Sequence, residues 1–241
     1  MNDTPAPRYW AVIAAAGGGA RMQAGRPKQY LKLRGRALIE HSLTVFMDAP
    51  WIEGIVVVLA PGDEDFARLP FGKHWKLHTA AGGGRRAESV LAGLARVAEL
   101  SIANGHAPPP YVLVHDAARP CITRDDLDRL KTQASDEQGG LLAIPVADTL
   151  KRAESSRCAA TVERRELWRA QTPQMFRLDL LRRALEDCVA QGVDATDEAR
   201  AMEAAGSRPR LVEGRAANLK VTFPDDLALA EFWLARQDNG R

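Results

Sequence analysis

Trp10-Ala11-Val12-Ile13-Ala14-Ala15-Ala16 is apolar on both alternating faces and runs directly into Gly17-Gly18-Gly19-Ala20-Arg21-Met22. A strand apolar on both faces belongs in a sheet covered by helices on both sides, and the glycines end it. In open sheets of this kind, ligands sit outside the carboxyl ends of the strands. The loop after this strand is therefore a candidate ligand site. Its glycines leave backbone N–H groups free to face an anion. Arg21 and, from Gly25-Arg26-Pro27-Lys28-Gln29, Lys28 add positive charge. It is no Walker A loop, because Lys28 follows Pro27 and no Ser or Thr comes next. It is no dinucleotide fingerprint, because Met22 stands where the third glycine belongs. Phosphate binding is the favoured reading, against a plain turn with two solvated cations.

Outward from this strand, apolar runs of strand length alternate with helical patterns. Ile55–Ala60, Leu77–Ala81, Tyr111–His115 and Gly140–Val146 read as further strands. Helical spacing covers Leu38–Phe46, a face of Val90, Leu91, Leu94, Val97 and Ala98, then Leu178–Val189, Ala199–Ala205 and Pro224–Ala235. Pro224 is placed to open the last helix. This alternation predicts an α/β fold with right-handed crossovers: a Rossmann-like, mostly parallel sheet with helices on both faces. Asp148–Gln171 breaks the pattern. It is polar, rich in Arg and Glu and without an apolar stripe, so a protruding arm or small subdomain is expected there. One domain over residues 1–241, with an arm at about 147–171, accounts for the whole.

Composition narrows the function. The 241 residues are 46% hydrophobic and 27% charged, ordinary globular values that exclude wholesale disorder. Thirty-three Lys and Arg against 31 Asp and Glu leave a net charge of +2, too little excess for a dedicated nucleic-acid binder. No apolar run approaches the roughly 20 residues that span a bilayer. Residues 1–8 read as neither a signal nor a transit peptide. Cys121, Cys158 and Cys188 are scattered and odd in number, which points to a reducing, cytoplasmic setting without disulfides.

Two further clusters fall at strand ends. Gly82-Gly83-Gly84-Arg85-Arg86-Ala87 satisfies G-x-G-x-x-A and opens a helix, which keeps a nicotinamide-dependent oxidoreductase open. It follows the third strand rather than the first, and Glu99, at suitable distance, lies within a helix. Ser89, one turn in, can cap the helix or meet a ligand. His115-Asp116-Ala117-Ala118-Arg119-Pro120 ends the next strand. Asp116 can hold a hydroxyl, bind a metal through water, or pair with Arg119. His74 and His78 lack the Glu of a H-E-x-x-H zinc motif, and no protein metal site is expected.

Together these segments resemble the 2-C-methyl-D-erythritol 4-phosphate cytidylyltransferases. Ala15–Met22 with Pro27-Lys28-Gln29-Tyr30 is similar to their nucleotide loop, and Val114–Pro120 to their most specific motif. Asp148-Thr149-Leu150-Lys151, Gln171-Thr172-Pro173-Gln174, Thr196-Asp197-Glu198-Ala199 and Asn218-Leu219-Lys220-Val221-Thr222 follow in the family's order. The resemblance spans roughly residues 10–236.

It implies transfer of CMP from CTP to the phosphate of 2-C-methyl-D-erythritol 4-phosphate, releasing pyrophosphate, in the non-mevalonate isoprenoid route. It implies that Arg21, Lys28 and Lys220 surround the α-phosphate. Ala15, Ala16 and Gly17, with Gly83, Ser89 and Ala117, would hold the nucleoside. Asp116, Arg119, Thr149, Arg164 and Thr172, together with Lys151, would form the sugar-alcohol phosphate site. Mg²⁺ would ride on the triphosphate. The arm would make a homodimer in which Arg164 serves the neighbour's site. A cytidylyltransferase for another polyol phosphate, such as ribitol 5-phosphate, is the alternative within this chemistry. The chain departs from the family's usual pattern at Gly84, often Asp, and at Ala217, usually acidic. After the closing helix, no room is expected for a fused second enzyme.

Overall fold

The computed structural model describes residues 7–17, 22, 25–71, 73–107 and 110–239. In chain order the elements are β1 (Tyr9–Ala14), β2 (Lys32–Leu33), β3 (Arg36–Ala37), α1 (Leu38–Met47), β4 (Ile52–Leu59), β5 (Leu77–Ala81) and α2 (Arg86–Ala103). They continue as β6 (Tyr111–Asp116), α3 (Arg124–Ala134), β7 (Gly140–Pro145), β8 (Leu150–Glu154), β9 (Arg157–Val162) and β10 (Trp168–Arg177). The chain ends with α4 (Leu178–Ala190), α5 (Glu198–Ala204), β11 (Arg210–Glu213) and α6 (Asp225–Asn239). Seven strands form the main sheet in the order β11-β7-β10-β6-β1-β4-β5. All of them run one way except β10, which is antiparallel to both β6 and β7. The mostly parallel α/β sheet predicted from the sequence is the one observed.

The period-2 pattern of the strands sorts the core into two layers. On one face Ala11, Ile13, Ile55 and Val57 meet Leu43 and Phe46 of α1 and Leu127 and Leu130 of α3. On the other, Val12, Val56 and Val58 meet Val90, Leu94 and Val97 of α2, with Leu181 and Leu185 of α4 alongside. Gly93 lets α2 lie close on the sheet: a Cβ there would stand 2.6 Å from Val12 Cγ1. A third cluster joins Leu33, Leu38, Cys121 and Val221 to Ala230 and Leu234 of α6. That packing braces the segment carrying Lys220. Among the described residues no helix is long and apolar enough to cross a membrane.

The polar stretch forms the β8–β9 hairpin, a separate two-stranded sheet whose side chains are almost all exposed. Its return differs from the sequence expectation. Trp168–Ala170 already pairs with β7, and Gln171 is buried in the main sheet, so the arm gives way to sheet before residue 171. Besides the short β2–β3 pair, three elements lie outside the sequence reading. α3 is strongly polar and buries only a narrow stripe, although Thr123 accepts from the Asp126 N–H in a capping box readable from sequence. β11 is four residues at the sheet edge. β10 contains Pro173, a residue that argues against a central strand, and its pairing to β7 breaks register between Ala170 and Gln174.

Candidate active site

The carboxyl ends of β1 and β6 lie side by side, with Ala14 opposite Asp116. The main chain leaving β1 is held from both sides: the Ala15 N–H donates to Val58 O at 2.9 Å, and Gln29 Nε2 donates to Ala15 O at 2.8 Å. On the far side, the glycines after β5 turn into α2, where the Gly83 N–H donates to Ser89 Oγ at 3.1 Å. Between these walls lies a cleft of about 240 Å³. Ala15, Ala16, Gly17, Lys28, Gly83, Ser89, Asp116, Ala117 and Lys220 all line it. Arg21, the remaining residue of the expected phosphate cluster, lies outside the described residues. The Gly82 cluster is thus one wall of the same cleft as the first glycine loop, not an independent dinucleotide site.

Asp116 is the electrostatic centre. Arg86 Nη2 donates to its Oδ1 at 3.0 Å, and Lys220 Nζ reaches Oδ2 at 2.7 Å. Burial alone would raise its pKa, but Arg86, then Lys220 and Arg119, together hold the carboxyl well below the usual range. Lys220 is itself supported from both sides. Asn218 Nδ2 donates to Thr172 O at 2.9 Å, and the Val221 N–H donates to Ala118 O at 2.8 Å. Lys28 Nζ donates to Val221 O at 3.0 Å, which brings the two lysines to one rim of the cleft. Ala217, in the position where an acidic residue was anticipated, is buried, and the bonds through Asn218 and Val221 support Lys220 without it.

Arg119 and Thr172 border Asp116 but are already engaged. Arg119 donates to Asn218 O at 2.7 Å and to Ala170 O at 3.3 Å, while its Nε stays 4.0 Å from Asp116, too far for a hydrogen bond. The Thr172 hydroxyl accepts from the Asp116 N–H at 3.0 Å and lies 3.1 Å from His115 Nδ1. His115 Nε2 faces the Arg119 carbonyl at 3.2 Å, an acceptor only, so Nε2 carries the proton. Burial pushes the His115 pKa down to about 4 and keeps the ring neutral at pH 7. The Thr172 proton therefore points to Nδ1, and both residues brace the carboxyl ends of β6 and the Lys220 loop.

Thr149 and Arg164 do not line the cleft. Thr149 is exposed just before β8, and Arg164, exposed in the turn before β10, bonds through Nη1 to Ala147 O. Lys151 is spent across the hairpin, donating to Thr161 Oγ1 at 2.7 Å.

Comparison with known proteins identifies the family. The family model for IspD, 2-C-methyl-D-erythritol 4-phosphate cytidylyltransferase, matches residues 9–236. The chain belongs to this family. The cytidylyltransferase of that name from Pseudomonas putida is 51% identical over 237 residues, covering 98% of this chain and 97% of the relative. Among solved structures, a 4-diphosphocytidyl-2C-methyl-D-erythritol synthase superposes with a TM-score of 0.81 at 39% identity, covering 96% of this chain and 100% of that one. The Francisella tularensis 2-C-methyl-D-erythritol 4-phosphate cytidylyltransferase gives 0.79 at 32% identity, covering 94% and 99%.

Two cleft residues of this family member were missed in the sequence. Gln29 is buried and ties the nucleotide loop to its own backbone, a role that leaves no spacing pattern. Arg86, rather than Arg85, reaches Asp116, whereas Arg85 bonds Glu88 in the first turn of α2. The phase of α2 makes that choice. Arg86 also meets Glu198, a fully buried carboxylate whose pKa burial raises despite the guanidinium beside it.

Proposed function

We propose that the chain transfers the cytidylyl group of CTP to the phosphate of 2-C-methyl-D-erythritol 4-phosphate. The new bond joins that phosphate oxygen to the α-phosphorus, and the bond from the α-phosphorus to the β-phosphate breaks, releasing pyrophosphate. The observation that carries this reading is the meeting of Lys28, Lys220 and Asp116 at one cleft walled by two glycine turns, in a member of this family. The attacking phosphate already carries about −1.5 to −2 charge near neutral pH, so no protein base or nucleophile is needed. What the protein must supply is proximity between two anions and positive charge around the α-phosphorus. Lys28 and Lys220, with Arg21, provide that charge. The cleft backbone and Ser89 hold the nucleoside, and Asp116 accepts from a polyol hydroxyl.

Among the described residues no three His, Cys, Asp or Glu side chains group into a metal site. The cleft offers a divalent ion Asp116, whose oxygens already accept from Arg86 and Lys220. A Mg²⁺ would therefore be held chiefly by the triphosphate, with Asp116 beside it, and would supply neutralisation of the phosphate charge.

The working form in this reading is a homodimer. An isolated two-stranded hairpin is marginal in water, and the β8–β9 side chains are almost all exposed. Seated over a second copy, the arm brings Thr149 and Arg164 to the neighbour's sugar-phosphate site. Arg164→Ala is then expected to raise the KM for methylerythritol phosphate about tenfold or more, since charged hydrogen bonds are worth about 1.5–3 kcal/mol. Steady-state kinetics with each substrate varied checks this, and a rise confined to the CTP KM would contradict it.

The decisive assay is pyrophosphate release with CTP and Mg²⁺, offering methylerythritol phosphate and ribitol 5-phosphate side by side. Faster release with methylerythritol phosphate is expected. Preference for ribitol 5-phosphate would assign the chain to the alternative polyol.

A further inference from the structure

Thr196-Asp197-Glu198-Ala199 lies outside the cleft lining, yet one of its side chains is tied to the cleft by a continuous run of charge. Glu198 opens α5 and is fully buried. The first turn of that helix is fastened to β10 by Gln174, which donates to Asp197 Oδ2 at 2.9 Å and accepts from the Ala199 N–H at 2.7 Å. The Glu198 carboxylate is thereby fixed in place. Arg86 Nη1 bonds its Oε1, and Nη2 lies 3.3 Å from its Oε2. The same Nη2 donates to Asp116 Oδ1 at 3.0 Å, and Asp116 Oδ2 holds Lys220 Nζ at 2.7 Å. Glu198, Arg86, Asp116 and Lys220 form four alternating charges from the buried start of α5 to the open cleft.

A carboxylate wholly removed from water is costly, and here it is matched: Glu198 and Asp116 together balance Arg86 and Lys220. Charge balance alone does not require that both Glu198 oxygens meet Arg86, as they do through Nη1 and Nη2. What Glu198 adds is a second point of attachment for a planar guanidinium, which with two partners has one orientation and with one partner can swing. It also takes up part of the positive charge of Arg86, leaving Asp116 a stronger acceptor toward Lys220.

We propose that Glu198 is a positioning residue for cytidylyl transfer, acting through Arg86 to fix the Asp116 carboxylate and, through it, the Lys220 ammonium. The inference rests on the proposed reaction at this cleft. Glu198→Gln keeps the shape and removes the charge. Arg86 then draws Asp116 to itself and Lys220 loses its fixed direction. The cluster also gains a net positive charge, so triphosphate binding is not weakened. The expected result is a kcat about tenfold lower with the CTP KM unchanged or reduced.

The test is pyrophosphate release by wild type, Glu198→Gln, Asp116→Asn and the double variant, with both substrates varied and folding checked by circular dichroism. If Glu198 works through Asp116, adding Glu198→Gln to Asp116→Asn lowers kcat by no more than about twofold further. Should Glu198→Gln not fold, Glu198→Asp, which keeps the charge but shortens the reach, carries the test with an expected kcat loss of about threefold and the same pattern. The proposal is overturned by a kcat within about twofold of wild type, by losses that multiply in the double variant, or by a raised CTP KM at constant kcat. An active wild type with an unaffected Glu198 variant overturns this inference alone. A wild type that releases no pyrophosphate overturns the reaction as well.

Discussion

Lys220→Ala is expected to lower turnover by about two orders of magnitude while leaving the fold intact. A unit-charge pair about 4 Å apart is worth about 4 kcal/mol at an effective dielectric near 20. The Lys220 side chain is 40% exposed, so about 3 kcal/mol is the fair figure after screening, and each ~1.4 kcal/mol is tenfold in rate. The fold should survive because Asp116 keeps Arg86 as its partner, and the loop keeps its bonds through Asn218 and Val221. Lys28→Ala should lower turnover on the same scale, since its ammonium stands at the same rim, anchored on Val221 O. The measurement is kcat for pyrophosphate release together with the thermal midpoint. Near-normal turnover in both variants would remove the cation-based mechanism. A collapse of the midpoint would mean the lysines hold the fold instead.

Phe176→Ala is expected to cost about 3–5 kcal/mol of stability, as for other large buried aromatic side chains. Phe176 is completely buried in β10 and packs in the layer that includes Trp10, Val12, Val112 and Leu181. The surroundings cannot easily close the hole, because the ring already lies against Gly139, where a Cβ would come within 2.3 Å of its Cδ1. For a chain of this size about 2–4 °C is lost per kcal/mol, so the midpoint should fall by roughly 10 °C. Denaturant or thermal unfolding of the variant checks this, and a loss under about 1 kcal/mol would show that β10 contributes little to the core. The functional stake is direct, since β10 carries Thr172 to Asp116 and Gln174 to α5.

The legible parts of this protein were those encoded by neighbours in the chain. β1 was readable because a strand covered on both faces shows as an uninterrupted apolar run, and β4, β6 and β7 for the same reason, whereas β5, with His78 and Thr79, was marked by the glycines that end it. α1, α2, α4, α5 and α6 followed from apolar residues three and four apart, although α2 begins at Arg86, earlier than its apolar stripe. β10 was hidden by a polar Gln171-Thr172-Pro173-Gln174 segment that is nonetheless buried. Its side chains bond partners far along the chain: Gln171 Nε2 donates to Arg215 O, Thr172 meets Asp116 and His115, and Gln174 donates to Asp197. A buried strand of that composition is invisible to periodicity, because the residues that make its burial tolerable are not its neighbours.

The site divides in the same way. The sequence by itself determined that two glycine turns and the Asp116 segment end strands of one sheet, and so face one edge, since strand polarity follows from the alternation of elements. It also marked Lys28 and Lys220, through a resemblance carried by motifs in order. Only the tertiary structure decided that Arg86 and not Arg85 meets Asp116, and that Arg119 turns to bind Asn218 and Ala170. It alone joined Glu198 to the cleft, across 112 positions of chain. Hydrogen bonds and ion pairs are set by distances of about 3 Å between groups whose sequence separation is arbitrary. Local pattern carries the period of a helix or strand, but the partner of a given charge exists only once the sheet has been assembled.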